Sequence, residues 1–282
     1  MQSTKKTILI TGCSTGIGRA LAIEFHRLGH HVYATARKPE TLTDLGQMGM
    51  TTLKLDVNDP EDIRAAVSEI DKNGSLDILI NNAGFIAMGP LSEIPLDRLR
   101  LQFETNVVSI IAMTQAFVPM MVRQKSGSIV TMGSVSGILP SPFAGAYCAS
   151  KSAVHALSDV LRAELSPFGI RVITIQPGGI VSDLGKTAHQ GIPAMEPNSI
   201  FAPIAHAIEA RALASQDKAT PVELFARKVA SELLKNNPKP IIRLGNQSTI
   251  LPFIRNYLPT RFRDRILIRK FSLDVLNKGK DS

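Results

Sequence analysis

The sequence predicts an α/β fold built on a doubly wound parallel sheet, with helices on both faces and an extra helical segment at the C-terminal end. Three observations carry that expectation. Short apolar runs of strand length alternate with longer helical patterns, the runs are apolar throughout as parallel strands covered on both faces require, and the first run passes directly into a glycine-rich turn that opens a helix. Connections between such strands are right-handed, which leaves few topologies.

Taken in order, strands are expected at residues 7–11 (TILIT), 31–36 (HVYATA), 51–57 (TTLKLDV), 76–84 (LDILINNAG), 127–134 (GSIVTMGS) and 170–179 (IRVITIQPGG). Helical patterns near 16–28, 60–72, 96–122 and 147–165 separate them. The pattern loosens after Gly179 through residues 182–199, then gives helices near 203–215 and 221–236 and a strand-like run at 240–245. No internal repeat or dividing linker interrupts this order. The chain therefore reads as one domain over 1–249, including a substrate loop at 182–225, followed by a basic amphipathic segment at 250–282.

Composition agrees with a folded chain: 282 residues, 44% hydrophobic and 20% charged, with 20 Gly. The net charge of +8 is unevenly placed. Residues 218–282 hold 14 Lys/Arg against 5 Asp/Glu, whereas the first 217 hold 18 against 19. A nearly neutral body argues against nucleic acid as a partner of the whole surface. Cys13 and Cys148 cannot build a disulfide framework, no Cys/His cluster has zinc spacing, and a reducing compartment is expected. The opening MQSTKK leads into an apolar run too short for a signal sequence, so a cytoplasmic location is expected. The apolar stretch Val107 to Val122 carries Ser109, Thr114 and Gln115, and reads as a buried helix.

After the first strand comes Thr11-Gly12-Cys13-Ser14-Thr15-Gly16-Ile17-Gly18. Glycines at a strand-to-helix turn allow unusual backbone angles and close approach of a pyrophosphate, which the helix N-terminus attracts. Gly12, Gly16 and Gly18 are placed for this, in a GxxxGxG spacing that makes the sheet Rossmann-like in kind. The end of the second strand distinguishes two nicotinamide cofactors: an acid there binds the ribose 2′-hydroxyl of NAD, and a base accommodates a 2′-phosphate. Ala34-Thr35-Ala36-Arg37-Lys38 offers no carboxylate, and Arg37, Lys38 and Arg19 could all face a phosphate. NADP(H) is expected over NAD(H).

Tyr147 and Lys151 stand four apart on one helix face. A phenol is a poor acid or base near neutrality, and a neighbouring ammonium lowers its pKa. Ser134 ends a strand, where its hydroxyl could hold a substrate oxygen, and Asn106 lies in a helix that Asn does not favour.

With these residues the chain resembles the short-chain dehydrogenase/reductase family. The match runs through residues 11–18, Asp56-Val57, Asn81-Asn82-Ala83-Gly84, Asn106, Ser134, Tyr147, Lys151 and Pro177-Gly178, over about residues 5 to 245. The resemblance implies that Tyr147 donates a proton, Ser134 orients a carbonyl, Lys151 binds the nicotinamide ribose while lowering the Tyr147 pKa, and Asn106 supports a water relay. It also implies that Asp56 and Val57 hold the adenine, that Asn82, Ala83 and Gly84 line the cofactor cleft, and that Ile180 and Ser182 meet the carboxamide. A homodimer or homotetramer pairing the helices near 96–122 and 147–165 is implied in the same way. No metal is needed for this chemistry. Within the family the chain looks like the branch with 17β-hydroxysteroid dehydrogenases, retinol dehydrogenases and acyl-dihydroxyacetone-phosphate reductases, and with no acid near Arg37 an NADPH-dependent carbonyl reductase of a lipophilic ketone or aldehyde is expected. A cofactor-binding sensor without turnover and an NAD-linked alcohol dehydrogenase are the alternatives.

Apolar walls for a lipophilic substrate are expected from Phe85, Ile86 and Met88, from Ile138, Leu139 and Phe143, and from Leu184, Ile192, Met195, Phe201 and Phe225. In the tail, Phe262, Ile266, Leu267 and Phe271 recur at helical spacing among Arg261, Arg263, Arg265, Arg269 and Lys270. Such a helix docks on the body, lies on an anionic membrane surface, or meets a phosphate-bearing lipid.

Overall fold

The computed structural model describes residues 5–192, 196, 198–214 and 216–277; Met195 and the side chain of Leu184 lie outside them. Seven strands, β1 (Thr7–Ile10), β2 (His31–Ala36), β3 (Thr51–Lys54), β4 (Ile78–Asn81), β5 (Gly127–Met132), β6 (Ile170–Pro177) and β7 (Ile241–Leu244), form one sheet. Their order is β3-β2-β1-β4-β5-β6-β7. Every pairing is parallel, with Leu9 opposite both Tyr33 and Leu79. The order reverses between β1 and β4, and the crevice at the C-terminal ends of those strands is where such sheets bind ligands.

The strands read as continuous apolar runs because each side of the sheet is buried under a different helical layer. Ile8, Ile10, Ile78, Ile80, Val130 and Ile173 face one core with α1 (Gly16–Arg27) and α9 (Val222–Leu233), through Leu21, Phe25, Phe225 and Val229. Leu9, Tyr33, Leu79, Ile129 and Val172 face the other with α3 (Pro60–Asp71), α5 (Ser109–Gln124) and α6 (Gly145–Leu165). The period of two along β1 and β4 thus splits into two cores. Helix α3 starts where its sequence says it should. Asp59 caps it by accepting from the Glu61 N–H, Pro60 follows, and Glu61 and Asp62 fill the first turn.

Three features depart from the expected pattern. The helix expected at 96–122 is a continuous run from Leu96 to Gln124, long and apolar enough by composition to cross a membrane, but half of its most apolar window is buried as a core helix is. It consists of α4 (Leu96–Phe103), a π turn over Glu104–Val108, and α5. The loosened stretch contains a helix, α7 (Asp183–Gln190), and a short α2 (Thr43–Gln47) follows β2. The strands at 51–57, 76–84 and 127–134 stop early, at Lys54, Asn81 and Met132.

Beyond α8 (Ala205–Leu213) and β7, the tail folds as α10 (Ile250–Tyr257) and α11 (Thr260–Lys270), broken where Leu258 adopts the extended conformation that Pro259 demands. Only part of its apolar set docks. Phe271 is buried and meets Phe143 edge to face at 6.2 Å, and Leu267 packs with it, but Phe262 and Ile266 are exposed.

Candidate active site

The glycine turn is built for a group lying against its backbone. Gly12 has φ +72° and Gly16 φ +58°, conformations that a side chain disfavours. A Cβ on Gly18 would stand 2.3 Å from the Gly12 carbonyl oxygen and 2.5 Å from Asn82 Nδ2. The Thr11 hydroxyl accepts from the Asn82 and Ala83 N–H groups, each at 2.9 Å, and Asn82 Nδ2 donates to the Thr11 and Gly12 carbonyls at 2.9 and 3.1 Å. The two strand ends flanking the crevice are thereby sewn together. Thr15 caps α1 without a side-chain bond and the first turn holds no carboxylate, so its free N–H groups suit a pyrophosphate. Ser14 and Ile17 are half-buried along the same turn. These features fit a dinucleotide.

Of the three basic candidates for a 2′-phosphate, Arg37 and Lys38 are exposed just beyond β2, whereas Arg19 is in an ion pair with Asp44 of α2. Asp56 accepts from the Asn58 N–H at 3.0 Å while its own N–H donates to Asp62 at 2.9 Å. Val57 turns into the core. On the far side, a Cβ on Gly178 would come within 1.9 Å of the Asn246 carbonyl oxygen, which explains the glycine after Pro177. Ser182 lies against Gly16, whose added Cβ would meet its Cβ at 3.4 Å. The Ile180 side chain is buried in the core, so Ile180 can offer a ligand only its backbone.

Asn106 is drawn inward by the π turn, which shifts one residue toward the crevice. Its Oδ1 accepts from the Phe85 N–H at 3.1 Å and its Nδ2 donates to the Phe85 carbonyl at 3.0 Å and to Ser150 Oγ at 3.3 Å. Gln102, one turn earlier, grips the same segment, accepting from the Ala87 N–H and donating to the Phe85 carbonyl, both at 2.7 Å. The pair fixes residues 85–87 against α4 and the π turn, and the bond to Ser150 ties the turn to α6.

Tyr147, Ser134 and Lys151 come together beside this segment. Burial pushes the Tyr147 phenol above its ordinary value, and the Ser134 hydroxyl and then Arg211 act against that rise. Lys151 lies over the Tyr147 ring, 5.8 Å from its centroid, and donates to the Met132 carbonyl at 2.7 Å. Burial brings the Lys151 ammonium down to about 8. The Lys151 charge thus meets the ring and a carbonyl, and Arg211 adds a second cation that works against the rise of the phenol.

Three further residues shape the site. His155 Nε2 accepts from the Ser134 N–H at 3.3 Å, and burial with Lys151 nearby brings its imidazole down to about 4. It follows Lys151 and Tyr147 by four and eight residues on one face of α6, a spacing the sequence displays. Gln102 likewise precedes Asn106 by four. Arg211, on α8, gives no such signal; its Nε donates to Ser141 Oγ at 2.8 Å.

Among the expected apolar walls, Ile86, Met88, Phe143, Ile192 and Phe201 gather in one cluster with Phe271, and Phe85 packs in a small cluster with Ala87. Ile138 and Leu139 are half-buried after the turn that Ser134 caps. Phe225 does not join them. It is buried between α1 and α9 on the other side of the sheet.

Residues 6–192 match the family model of the short chain dehydrogenases. A short-chain dehydrogenase/reductase of Pestalotiopsis microspora is 37% identical over 262 residues, 89% of this chain and 91% of that one. An NADPH-dependent 1-acyldihydroxyacetone phosphate reductase of Schizosaccharomyces pombe is 41% identical over 207 residues, 71% of this chain and 69% of its own. The crystal structure of a short-chain dehydrogenase from Streptomyces avermitilis superposes with a TM-score of 0.78 at 27% identity, covering 99% of this chain and all of that one.

Proposed function

The chain belongs to the short-chain dehydrogenase family, an oxidoreductase family that binds a nicotinamide cofactor, and from that premise we propose that it is an NADPH-dependent carbonyl reductase of lipophilic ketones or aldehydes. The observation that carries the proposal is the buried set of Tyr147, Ser134 and Lys151 next to the apolar cluster around Phe143. When bound, the nicotinamide supplies the hydride that reduces the carbonyl carbon. Tyr147 gives its phenolic proton to the carbonyl oxygen, a task suited to a phenol that burial keeps protonated near neutrality. Ser134 donates a hydrogen bond to the same oxygen and opposes charge building there. The phenolate left behind is stabilised by Arg211 and regains its proton from solvent. Arg37, with no acid beside it at the end of β2, supports NADPH over NADH. So does the NADPH dependence named for the Schizosaccharomyces relative.

The proposal extends to surroundings. Members of the family are commonly oligomeric and act on small substrates, and a homodimer or homotetramer is proposed through the helical run Leu96–Gln124 and α6, on which Val108 and Val160 are exposed. A cytoplasmic location with peripheral contact to an anionic membrane is proposed through residues 250–282. Exposed Phe253, Tyr257, Phe262 and Ile266 support it, interspersed with exposed Arg255, Arg261, Arg265 and Arg269.

A panel of steroid, retinoid and acyl ketones with NADPH or NADH tests the reading. Expected is NADPH oxidation with at least one ketone, reduced about 100-fold or more in Tyr147→Phe. Arg37→Ala should raise the KM for NADPH and leave that for NADH alone. Bound NADPH with no oxidation by any ketone, or a preference for NADH, would overturn it.

A further inference from the structure

We propose that Gln102 is a positioning residue for the substrate: with Asn106 it holds residues 85–87 as a partner strand would, and so places the wall formed by Ile86 and Met88, a role that rests on the reductase reading.

Residues 82–88 carry the chain from the cofactor crevice to the apolar cluster around Phe143 without regular structure. Both ends of this stretch are fastened. The Asn82 and Ala83 N–H groups donate to the Thr11 hydroxyl, and the Gly89 N–H donates to the Phe143 carbonyl at 2.9 Å. Between those ends the backbone bonds go to two side chains. Asn106 meets the Phe85 N–H and carbonyl, and Gln102 meets the same carbonyl and the Ala87 N–H. Among the described residues no other acceptor meets the Ala87 N–H, and Ala87 is buried. Phe85 packs with Ala146, the neighbour of Tyr147, while Ile86 and Met88 pack in the Phe143 cluster.

Gln102 is the only fully buried residue of α4, whereas Leu96 and Leu101 of the same helix are exposed. Turning a carboxamide inward while two leucines stay outside is costly unless its donor and acceptor are both used. Here both are used, at 2.7 Å each, on one stretch of backbone that no strand pairs. An apolar side chain would anchor α4 by burial alone. Only an amide, with its donor and acceptor side by side, also fixes where residues 85–87 lie. Loss of that amide leaves Asn106 on Phe85 but frees the Ala87 end, which leads directly into Met88 of the substrate wall.

The full chain with NADP⁺ or NADPH, and 2-decanone as the ketone, provides the test. In NADP⁺-saturated protein, deuterium exchange over residues 84–90 is expected to run about tenfold or more faster in Gln102→Met than in wild type, with β1 and β5 unchanged. In steady state this variant should raise the KM for 2-decanone about tenfold, the size of a lost hydrogen bond, and hold kcat and the KM for NADPH within about twofold. A residue that only stabilised the fold would lower the amount of active enzyme, and so kcat at constant KM. Gln102→Glu is the second variant and decides if Gln102→Met does not melt cooperatively. Its carboxyl supplies the same donor and acceptor when protonated and loses the donor when ionised. The charged groups on the same helical run, Asp97, Arg98, Arg100 and Glu104, and Tyr147, Cys148 and Lys151 on α6, are common to wild type, so a ratio of variant to wild type isolates position 102. That ratio of ketone KM should be near one at about pH 6 and rise about tenfold by about pH 9, as the buried carboxyl ionises. Unchanged exchange over 84–90, an unchanged ketone KM in Gln102→Met, or a flat ratio for Gln102→Glu overturns the proposal. A wild type that oxidises no NADPH with 2-decanone counts against the reductase reading, while the exchange comparison still decides whether Gln102 places the segment.

Discussion

The Lys151 ammonium lies over the Tyr147 ring, 5.8 Å from its centroid, and donates to the Met132 carbonyl at 2.7 Å. Its buried position brings its pKa from 10.5 to about 8, so it is a cation below that pH and neutral above it. If this ammonium donates to the cofactor ribose, NADPH affinity holds steady up to about pH 7 and declines as pH rises through 8. Fluorescence titration of NADPH between about pH 6 and 10 measures this. Lys151→Arg, which stays charged throughout, should abolish the decline. An affinity that is flat to pH 10 in wild type would show that the charge on Lys151 is not used in binding.

Gly18 is where the cofactor cradle is tightest. An added Cβ meets the Gly12 carbonyl at 2.3 Å and Asn82 Nδ2 at 2.5 Å, and neither can withdraw without unpicking the bonds between β1 and β4. Gly18→Ala is expected to cost about 1–3 kcal/mol of stability, as overpacking does, and to remove NADP⁺ binding. Gly29→Ala is the control. With φ +86° and nothing within 4 Å of its Cβ, it should cost about 1–2 kcal/mol from backbone strain alone and leave binding intact. Thermal melts and calorimetry on the two variants separate strain from cofactor loss.

Most of the sheet was legible because its signal is local and repeated. Ile8 and Ile10 against Leu9 could be assigned to two buried faces from the run TILIT alone, since a parallel sheet buries both. Gly12 and Gly16 were legible because their conformation is imposed by the turn that carries them, and Gly18 because the helix start packs directly on that turn. Arg211 was not legible, because nothing in residues 205–213 shows that this arginine meets a loop 70 positions earlier. Phe225 misled for the same reason: an aromatic residue in the substrate half reads as a wall, and only the packing of α9 on α1 turns it to the far core. The position of Lys151 over a ring could not come from a spacing of four, which specifies a shared helix face and not which atom of the phenol the ammonium meets.

His155 holds the Ser134 backbone through an unprotonated ring nitrogen, and its imidazole has a pKa of about 4 where an exposed one has 6.5. A depressed histidine contributes stability that is present above the unfolded value of about 6.5 and is lost as pH falls toward 4. Urea midpoints should therefore drop between pH 7 and pH 4.5 in wild type, and His155→Leu should flatten part of that drop. The same variant frees the Ser134 N–H, and kcat/KM should fall about tenfold at pH 7 with NADPH binding unchanged, a loss the size of one hydrogen bond. An unaltered acid limb in the variant would show that His155 does not titrate in this range.

The tail divides its apolar residues between two uses. Phe271 closes the substrate-side cluster against Phe143, so removing residues 250–282 would open that cluster as well as any surface. Substitution in the full chain is the sharper experiment. Phe253 at 58%, Tyr257 at 71% and Phe262 at 52% exposure are large apolar groups standing in water. Beside them Arg255, Arg261, Arg265, Arg269 and Lys270 are exposed against the single acid Asp264 of α10 and α11. Each such cation is worth about 1 kcal/mol near an anionic lipid surface, and interfacial aromatic side chains add their own burial. The full chain is expected to sediment with vesicles of phosphatidylserine and phosphatidylcholine, and not with phosphatidylcholine alone. Raising salt should weaken the binding as the surface potential is screened. The triple variant Phe253→Ser, Phe262→Ser, Ile266→Ser should lose it at low salt while keeping reductase activity on a soluble ketone, because none of the three packs in the Phe271 cluster. Equal and negligible sedimentation of wild type and variant with anionic vesicles would assign the exposed face to something other than a membrane.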